Sequence, residues 1–468
     1  MNNENIIWHH TIDVLVVGTG FAGLSAAIEA SNHDANVLII EKMHSYGGNS
    51  IISDGGIAAP NTSLQKNNGI KDNEALMYQD MLTAGLGLNY PNLLHTLVTH
   101  AKNAFQWTID ELNVPYMDRV DQFGGHSLPR CYTPEKKSGA TIIKKMIQKT
   151  ESLQIPIYYR TSFQSFILDN RGKIIGASLL DQYDYKNNTG VVKNIKIKKG
   201  IVLATGGYGA DIQFRQLQDP RLTAAIDTTN KPFATAEALK AALAIHASAV
   251  QLSQIQLGAW ASPDEKGFGD GPLFADYILF QYGVIIDPKN SKRFVNELGD
   301  RKIISDALLS INHPCVGIAD HHAVQYAGWD LSKAMKKGVV KTFPSLDELA
   351  THYALNSLDL QDTIDTYNQY VQSGIDQDYG KMIVKDASPI QEPPFYAMKL
   401  WPKVHFVMGG LGITEKAQVL DYDGKVIDGL YAAGEVTGGV HGASRLGSCA
   451  VTECIVFGRI AGQEVSSK

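Results

Sequence analysis

Gly18, Gly20 and Gly23 stand in the spacing GxGxxG within "VVGTGFAGLSAA", and Glu41 closes the next apolar run. Glycines so spaced let the chain turn tightly and its backbone approach a pyrophosphate at a helix N-terminus. An acidic residue after the second strand accepts from a ribose hydroxyl, and it repels a 2′-phosphate. The ligand expected is therefore FAD or NAD rather than NADP. A second stretch, "HGASRLGSCA" (residues 441–450), sets one guanidinium, Arg445, among glycines, small residues and a histidine. Everything around that arginine has been kept small.

The elements that must position these residues follow from hydrophobic patterning. Ile12 to Val17 is a continuous apolar run, the pattern of a strand buried on both faces. "LSAAIEA" reads as an Ala-rich helix and "NVLII" as a second buried strand, which completes strand, glycine turn, helix and strand. "GIVLATGGYGAD" (200–211) and "GLYAAGEVTGG" (429–439) are further buried strands running into glycines, and neither carries a second complete GxGxxG. Each alone is compatible with an ordinary strand-to-turn junction. Together they point to one α/β, Rossmann-like dinucleotide domain whose parts are scattered along the chain, as in a flavoprotein with a single nucleotide site.

The chain has 468 residues, 44% hydrophobic and 19% charged, enough for a large core in two or three domains. Lys plus Arg is 42 against 48 Asp plus Glu, a net charge of −6, with no basic run suited to a phosphate backbone, so nucleic acid is excluded as a partner. Four cysteines without a CxxC pair fit a reducing compartment, and no CxxCH haem motif occurs. The start "MNNENIIWHH" has no basic n-region or long apolar stretch, and no apolar run reaches the length of a membrane span. These features lead to the expectation of a cytoplasmic protein without a membrane span.

With "VVGTGFAGLSAA", "EKMHSYGGNSIISDGGI", "KRFVNELGDR", "VHFVMGGLGIT" and "GLYAAGEVTGGVHGASRLGSCAV", the chain resembles the fumarate reductase and succinate dehydrogenase flavoproteins. It is most similar to the soluble flavocytochrome c type fumarate reductase and urocanate reductase branch. The resemblance implies an FAD-binding domain (1–252 and 405–468) interrupted by an α+β capping domain (253–404), with the active site between them at the flavin ring. It implies FAD contacts from Gly18, Gly20, Phe21, Ala22, Gly23, Glu41 and Lys42. Gly48, Asn49, Ser50, Gly55 and Gly56 follow, then Thr205, Gly206 and Gly207, and near the end Gly434, Glu435, Arg445, Ser448, Ala450 and Val451. Arg445 resembles the arginine that clamps a substrate carboxylate bidentately, His405 the histidine donating to it, and Arg301 the active-site acid. The implied reaction reduces the C=C bond of a 2-enoate, with hydride from flavin N5 to Cβ and a proton from Arg301 to Cα. "GSCAV" would open a helix whose N–H groups stabilise negative charge at flavin N1 and O2. Outside these motifs Arg301 reads as a solvated surface arginine, His405 as a hydrogen-bonded core histidine and Arg445 as half of a structural ion pair.

Three positions depart from the family pattern. A gap-free count from the shared motifs puts the family's second substrate-binding histidine on Gly258 and its proton-relaying Glu and Arg on Tyr277 and Phe280. Such a pocket is less polar and more aromatic away from Arg445, so the expected substrate has one carboxylate, as in acrylate, methacrylate or cinnamate. The route that reprotonates Arg301 then runs through Tyr277 or water. Asn49 stands where the membrane-bound branch attaches FAD covalently, so non-covalent FAD is expected. Electrons must come from a separate reductase, a cytochrome or free reduced flavin. Two other functions compete: a dehydrogenase or oxidase desaturating an acid or ketone, and a non-catalytic flavin electron-transfer subunit.

Four stretches read as structural. "SGAT" (138–141) resembles a covalent-FMN threonine motif but reads better as a loop into an amphipathic helix. "GGHSLPRC" (124–131), with His126 and Arg130, reads as a solvated loop that could instead face the flavin or an electron donor. "DHH" (320–322) lacks a third ligand at metal spacing, so no metal is expected, and "DQYDYKNNTG" (181–190) reads as a surface hairpin turn.

Overall fold

The computed structural model describes residues 6–467, so the first five residues of the "MNNENIIWHH" start lie outside it. The apolar runs form parallel strands. His10–Val17 pairs on one side with Val37–Ile40, which pairs with Ile157–Tyr158. On its other side it pairs with the end of Thr189–Leu203, and that strand pairs with Val426–Ala432. Val14, Leu15 and Val16 have no exposed surface, as a strand covered on both faces requires. The scattered parts read from the sequence thus meet in one sheet, with an antiparallel extension through Ser162–Leu168 and Ile174–Asp184. "DQYDYKNNTG" is the hairpin joining that last strand to Thr189–Leu203.

Two helices cover this sheet from the same region of space. Phe21–Asn32 follows the first strand and Cys449–Ser466 ends the fold. They approach so closely that a Cβ on Gly458 would lie 2.5 Å from the Ala22 carbonyl oxygen, and one on Gly462 2.3 Å from that of Ala26. Ala140–Ser152, after "SGAT", buries Ile142, Ile143, Met146 and Ile147 on one face, as its amphipathic pattern predicts.

A second, five-stranded sheet is antiparallel throughout, in the order Lys292–Arg293, Val284–Asp287, Cys315–Ala319, Phe395–Leu400, Lys341–Phe343. Between the two sheets, Ile255–Gly258 pairs antiparallel with Lys403–Val407, so the outgoing and returning chain form one ribbon. In "DHH", Asp320 caps the helix His321–Ala327 by accepting from Ala323 N–H (3.0 Å). All four cysteines are free, and among the described residues no helix is long and apolar enough to cross a membrane.

Gly458→Val should lower unfolding stability by about 1–3 kcal/mol, because the added carbons run into the Ala22 backbone and the Ser25 side chain. Urea denaturation read by tryptophan fluorescence checks this.

Candidate active site

The parallel strands Val14–Val17, Val37–Ile40, Ile201–Leu203 and Leu430–Ala432 end along one edge of the sheet, and the loops that follow them enclose a groove. Gly18 has φ +110°, and a Cβ there would lie 2.4 Å from the Ala204 carbonyl oxygen. Gly23 lets the helix close over the turn, since its Cβ would lie 2.1 Å from Gly18 O. Gly20, Phe21 and Ala22 line the groove beside Gly48, Asn49 and Ser50, and Phe21 N–H donates to Ser50 Oγ (3.1 Å). Glu41 is fixed by Thr19 Oγ1 (2.5 Å) and Met43 N–H (3.0 Å), and burial raises its pKa. Lys42 sits at the rim, donating to Thr235 Oγ1 (2.8 Å). Thr205, Gly206 and Gly434 complete the wall. Three predicted contacts lie behind it: Gly23 packs on Gly18, Gly207 on Glu435 and Gly55 on Gly139. The opposite wall, Thr161 to Phe163 and Phe233 to Thr235, belongs to no motif and was not foreseen.

Phe21, Asn49, Ser50, Glu435 and Cys454 line both this groove and a second cavity of about 490 Å³, so the two adjoin. A long ligand fits that path: an acidic hydroxyl acceptor at one end, glycine backbone at the middle, and a broad chamber at the other. Gly56, Ser448, Ala450 and Val451 line the chamber, where the first turn of Cys449–Ser466 begins. Asn49 Nδ2 donates to Asn230 Oδ1 (2.5 Å) and its Oδ1 accepts from Lys231 N–H (2.8 Å). Glu435 accepts from Val407 N–H (3.0 Å), and burial pushes its carboxyl up to about 7.

Arg301, His405 and Arg445, from three distant segments, face the same chamber. Arg301 opens the helix Arg301–Ile311, whose N-cap Asp300 accepts from Lys302 N–H (2.8 Å). His405 lies on the returning ribbon strand, with Nδ1 2.8 Å from Thr229 Oγ1. Burial and the charges of Arg445 and Arg301 hold its pKa well below the usual histidine range, so the ring is neutral. Arg445 is 5% exposed, and its side chain makes one hydrogen bond among the described residues, Nη1 to the Leu446 carbonyl (3.1 Å). Its Nε has no partner, and its guanidinium sits 5.0 Å from the Phe406 ring centroid. Burial and Arg301 pull it down to about 9, still charged at neutral pH. It is therefore no structural ion pair. Ser444 Oγ donates to Asp300 Oδ1 (3.1 Å) and Gln256 Nε2 to Arg445 O (2.9 Å), which ties the segments bearing the two arginines together.

Three readings need correction. The carboxylate on Arg301 is Asp276, with Nη2 donating to Oδ2 at 2.9 Å, and not a group at 277 or 280. Ala275–Leu279 forms a π-helical turn, and the carboxylate that reaches Arg301 stands on it one residue before Tyr277. Tyr277 instead donates to Asp54 Oδ2 (2.6 Å), and Phe280 is a buried core residue. The loop 124–131 is not solvated: Arg130 is fully buried, paired with Asp72 (2.9 Å) and Asp80, while His126 Nε2 lies 2.9 Å from the Gly447 carbonyl. That network braces the Arg445–Ser448 loop from behind.

The Glu435 carboxyl titrates higher folded than unfolded, so burial destabilises the fold as pH rises from about 4.5 through 7. Glu435→Gln should therefore make the flavin-stripped protein more stable than wild type by a few kcal/mol at pH 8. The gain should shrink towards pH 4.5, measured by chemical denaturation across that range.

The FAD binding domain family matches residues 13–451. The acrylate reductase flavoprotein subunit of Shewanella woodyi is 39% identical over 98% of this chain and 92% of its own length. The urocanate reductase of Eggerthella lenta is 30% identical over 97% of this chain and 75% of its own. Among solved structures, the open conformation of a flavocytochrome c3 fumarate reductase has a TM-score of 0.76 at 30% identity, covering 98% of this chain and 79% of that one. The chain belongs to the FAD binding domain family and is similar to the acrylate, urocanate and flavocytochrome fumarate reductases within it.

Proposed function

We propose that this protein is an FAD-dependent oxidoreductase that reduces the C=C bond of a 2-enoate bearing one carboxylate. The observation that carries the reading is the pair of guanidiniums, Arg301 and Arg445, facing one chamber in which Arg445 has no acidic partner among the described residues. A buried, unpaired guanidinium of this kind is stabilised by a planar anion able to accept from it bidentately. The kinship with acrylate and urocanate reductases supports an enoate as that anion.

Bound FAD supplies the hydride. Arg445 and the neutral ring of His405 hold the substrate carboxylate, and Thr229 orients that ring through Nδ1. With Nδ1 accepting from the Thr229 hydroxyl, the ring proton sits on Nε2, free to donate to the carboxylate. Arg301 stands over Cα and gives up an N–H proton there. Asp276 accepts from Arg301 Nη2 at 2.9 Å and, with its pKa raised by burial, can carry the proton that restores it. This carboxyl takes the place assigned from the sequence to Tyr277 or water.

In this reading residues 253–404 form the cap and FAD is held without a covalent link, Asn49 being occupied in joining the flavin loop to Asn230 and Lys231. Electrons come from a separate cytoplasmic reductase, cytochrome or reduced flavin.

Anaerobically reduced protein should be reoxidised fastest by acrylate or methacrylate among acrylate, methacrylate, cinnamate, urocanate and fumarate, followed at the flavin absorbance band. Arg301→Ala should slow this by about 10²–10⁴-fold at unchanged flavin content. Silence from every enoate would overturn the reading.

A further inference from the structure

Gly258 ends its strand without a side chain, and the space beside it is filled. A Cβ on Gly258 would lie 3.0 Å from Trp260 Cζ2, 3.1 Å from Cη2 and 3.2 Å from Cε2, so the indole is packed against the glycine and a side chain at 258 would have to push it aside. Trp260 is 2% exposed and lines the same chamber as Arg301, His405 and Arg445. Its ring stands edge-on to His405 with centroids 4.8 Å apart, lies 5.8 Å from the Arg301 guanidinium carbon and packs against Phe268 at 5.3 Å. The indole thus touches the groups that hold and protonate the substrate.

We infer that Trp260 sets substrate specificity: its indole walls off the space beyond the far carbon of the enoate and excludes any charged or bulky substituent there. This rests on the enoate reading above and adds the residue that enforces it. A small unsaturated acid held by Arg445 and His405 meets the apolar face of the indole where its chain continues. A second carboxylate on that carbon would be pressed against Trp260 and Phe268, losing hydration where the neighbouring cation, Arg301, is already paired with Asp276. A methyl group there would collide with a ring that is itself pinned between Gly258 and His405.

The test uses the FAD-loaded protein with acrylate, crotonate and fumarate, which differ only in bearing hydrogen, methyl or carboxylate on the far carbon. Dissociation constants on the oxidised protein, by calorimetry, are compared with reoxidation rates of the reduced protein. In Trp260→Ala the preference for acrylate over crotonate and over fumarate should fall by roughly 10-fold or more in both measurements. Trp260→Phe, which keeps an aromatic wall and tests the inference even if the alanine variant loses its flavin, should lose part of that preference. Ratios unchanged in the variants that retain FAD would overturn the role of Trp260 while leaving the enoate reading intact. Failure of wild-type protein to turn over any enoate would remove the reading itself, and the binding ratios on oxidised protein would still decide the role of the indole.

Discussion

Two guanidiniums facing one chamber are the constraint around which the site is built. The charge of Arg301 adds to the cost of burying Arg445, and of the two only Arg301 has a carboxylate in contact among the described residues. Holding like charges together requires a rigid frame, and the frame is visible. Ser444 bonds to the cap of the Arg301 helix, Gln256 bonds to the Arg445 carbonyl, and His126 reaches the Gly447 carbonyl from the buried Arg130 cluster. Each bond joins segments far apart in sequence, so the position of either arginine depends on the whole fold being assembled. A loosely held arginine would swing to water and leave the chamber without its charge.

The nucleotide end obeys a different constraint, the close approach of backbone to backbone. Gly18 against Ala204, Gly23 against Gly18, and Gly458 and Gly462 against the helix Phe21–Asn32 all stand where a Cβ would overlap a carbonyl oxygen. The first two bring the turn and the helix N-terminus to the groove. The last two bring the C-terminal helix alongside, and its opening turn is where Ser448, Ala450 and Val451 reach the chamber. Close packing at one end of that helix therefore sets the geometry of the reactive site at the other.

Legibility in the sequence followed the distance over which each feature is determined. The unit from Gly18 to Glu41 is local, and its strands, helix and glycines appear where the patterning puts them. Arg301, His405 and Arg445 were identifiable through their motifs, and the fold brings them together. Asp276 was missed because its pairing with Arg301, 25 residues away, exists only once the π-helical turn and the Arg301 helix have packed. Arg130 looked solvated because its partners, Asp72 and Asp80, lie in a different segment and nothing in "GGHSLPRC" announces them. Trp260 was passed over because its role is to fill space next to a glycine. That relation exists only once the strand has folded.

The acidic groups of the chamber explain why one carboxylate suits it. Successive residues of the π-helical turn serve different partners, Asp276 meeting Arg301 while Tyr277 donates to Asp54 on the flavin loop. Burial raises the pKa of Asp276 against the pull of Arg301, while Asp54 accepts from Tyr277 and from Gly56 N–H at 2.9 Å. Of the two guanidiniums, Arg301 already has Asp276 in contact, so Arg445, without an acidic partner among the described residues, is the one that a single substrate carboxylate matches. Charge balance and the bulk of Trp260 thus act in the same direction, the first by favouring a monoanion and the second by denying room for anything larger on the far carbon.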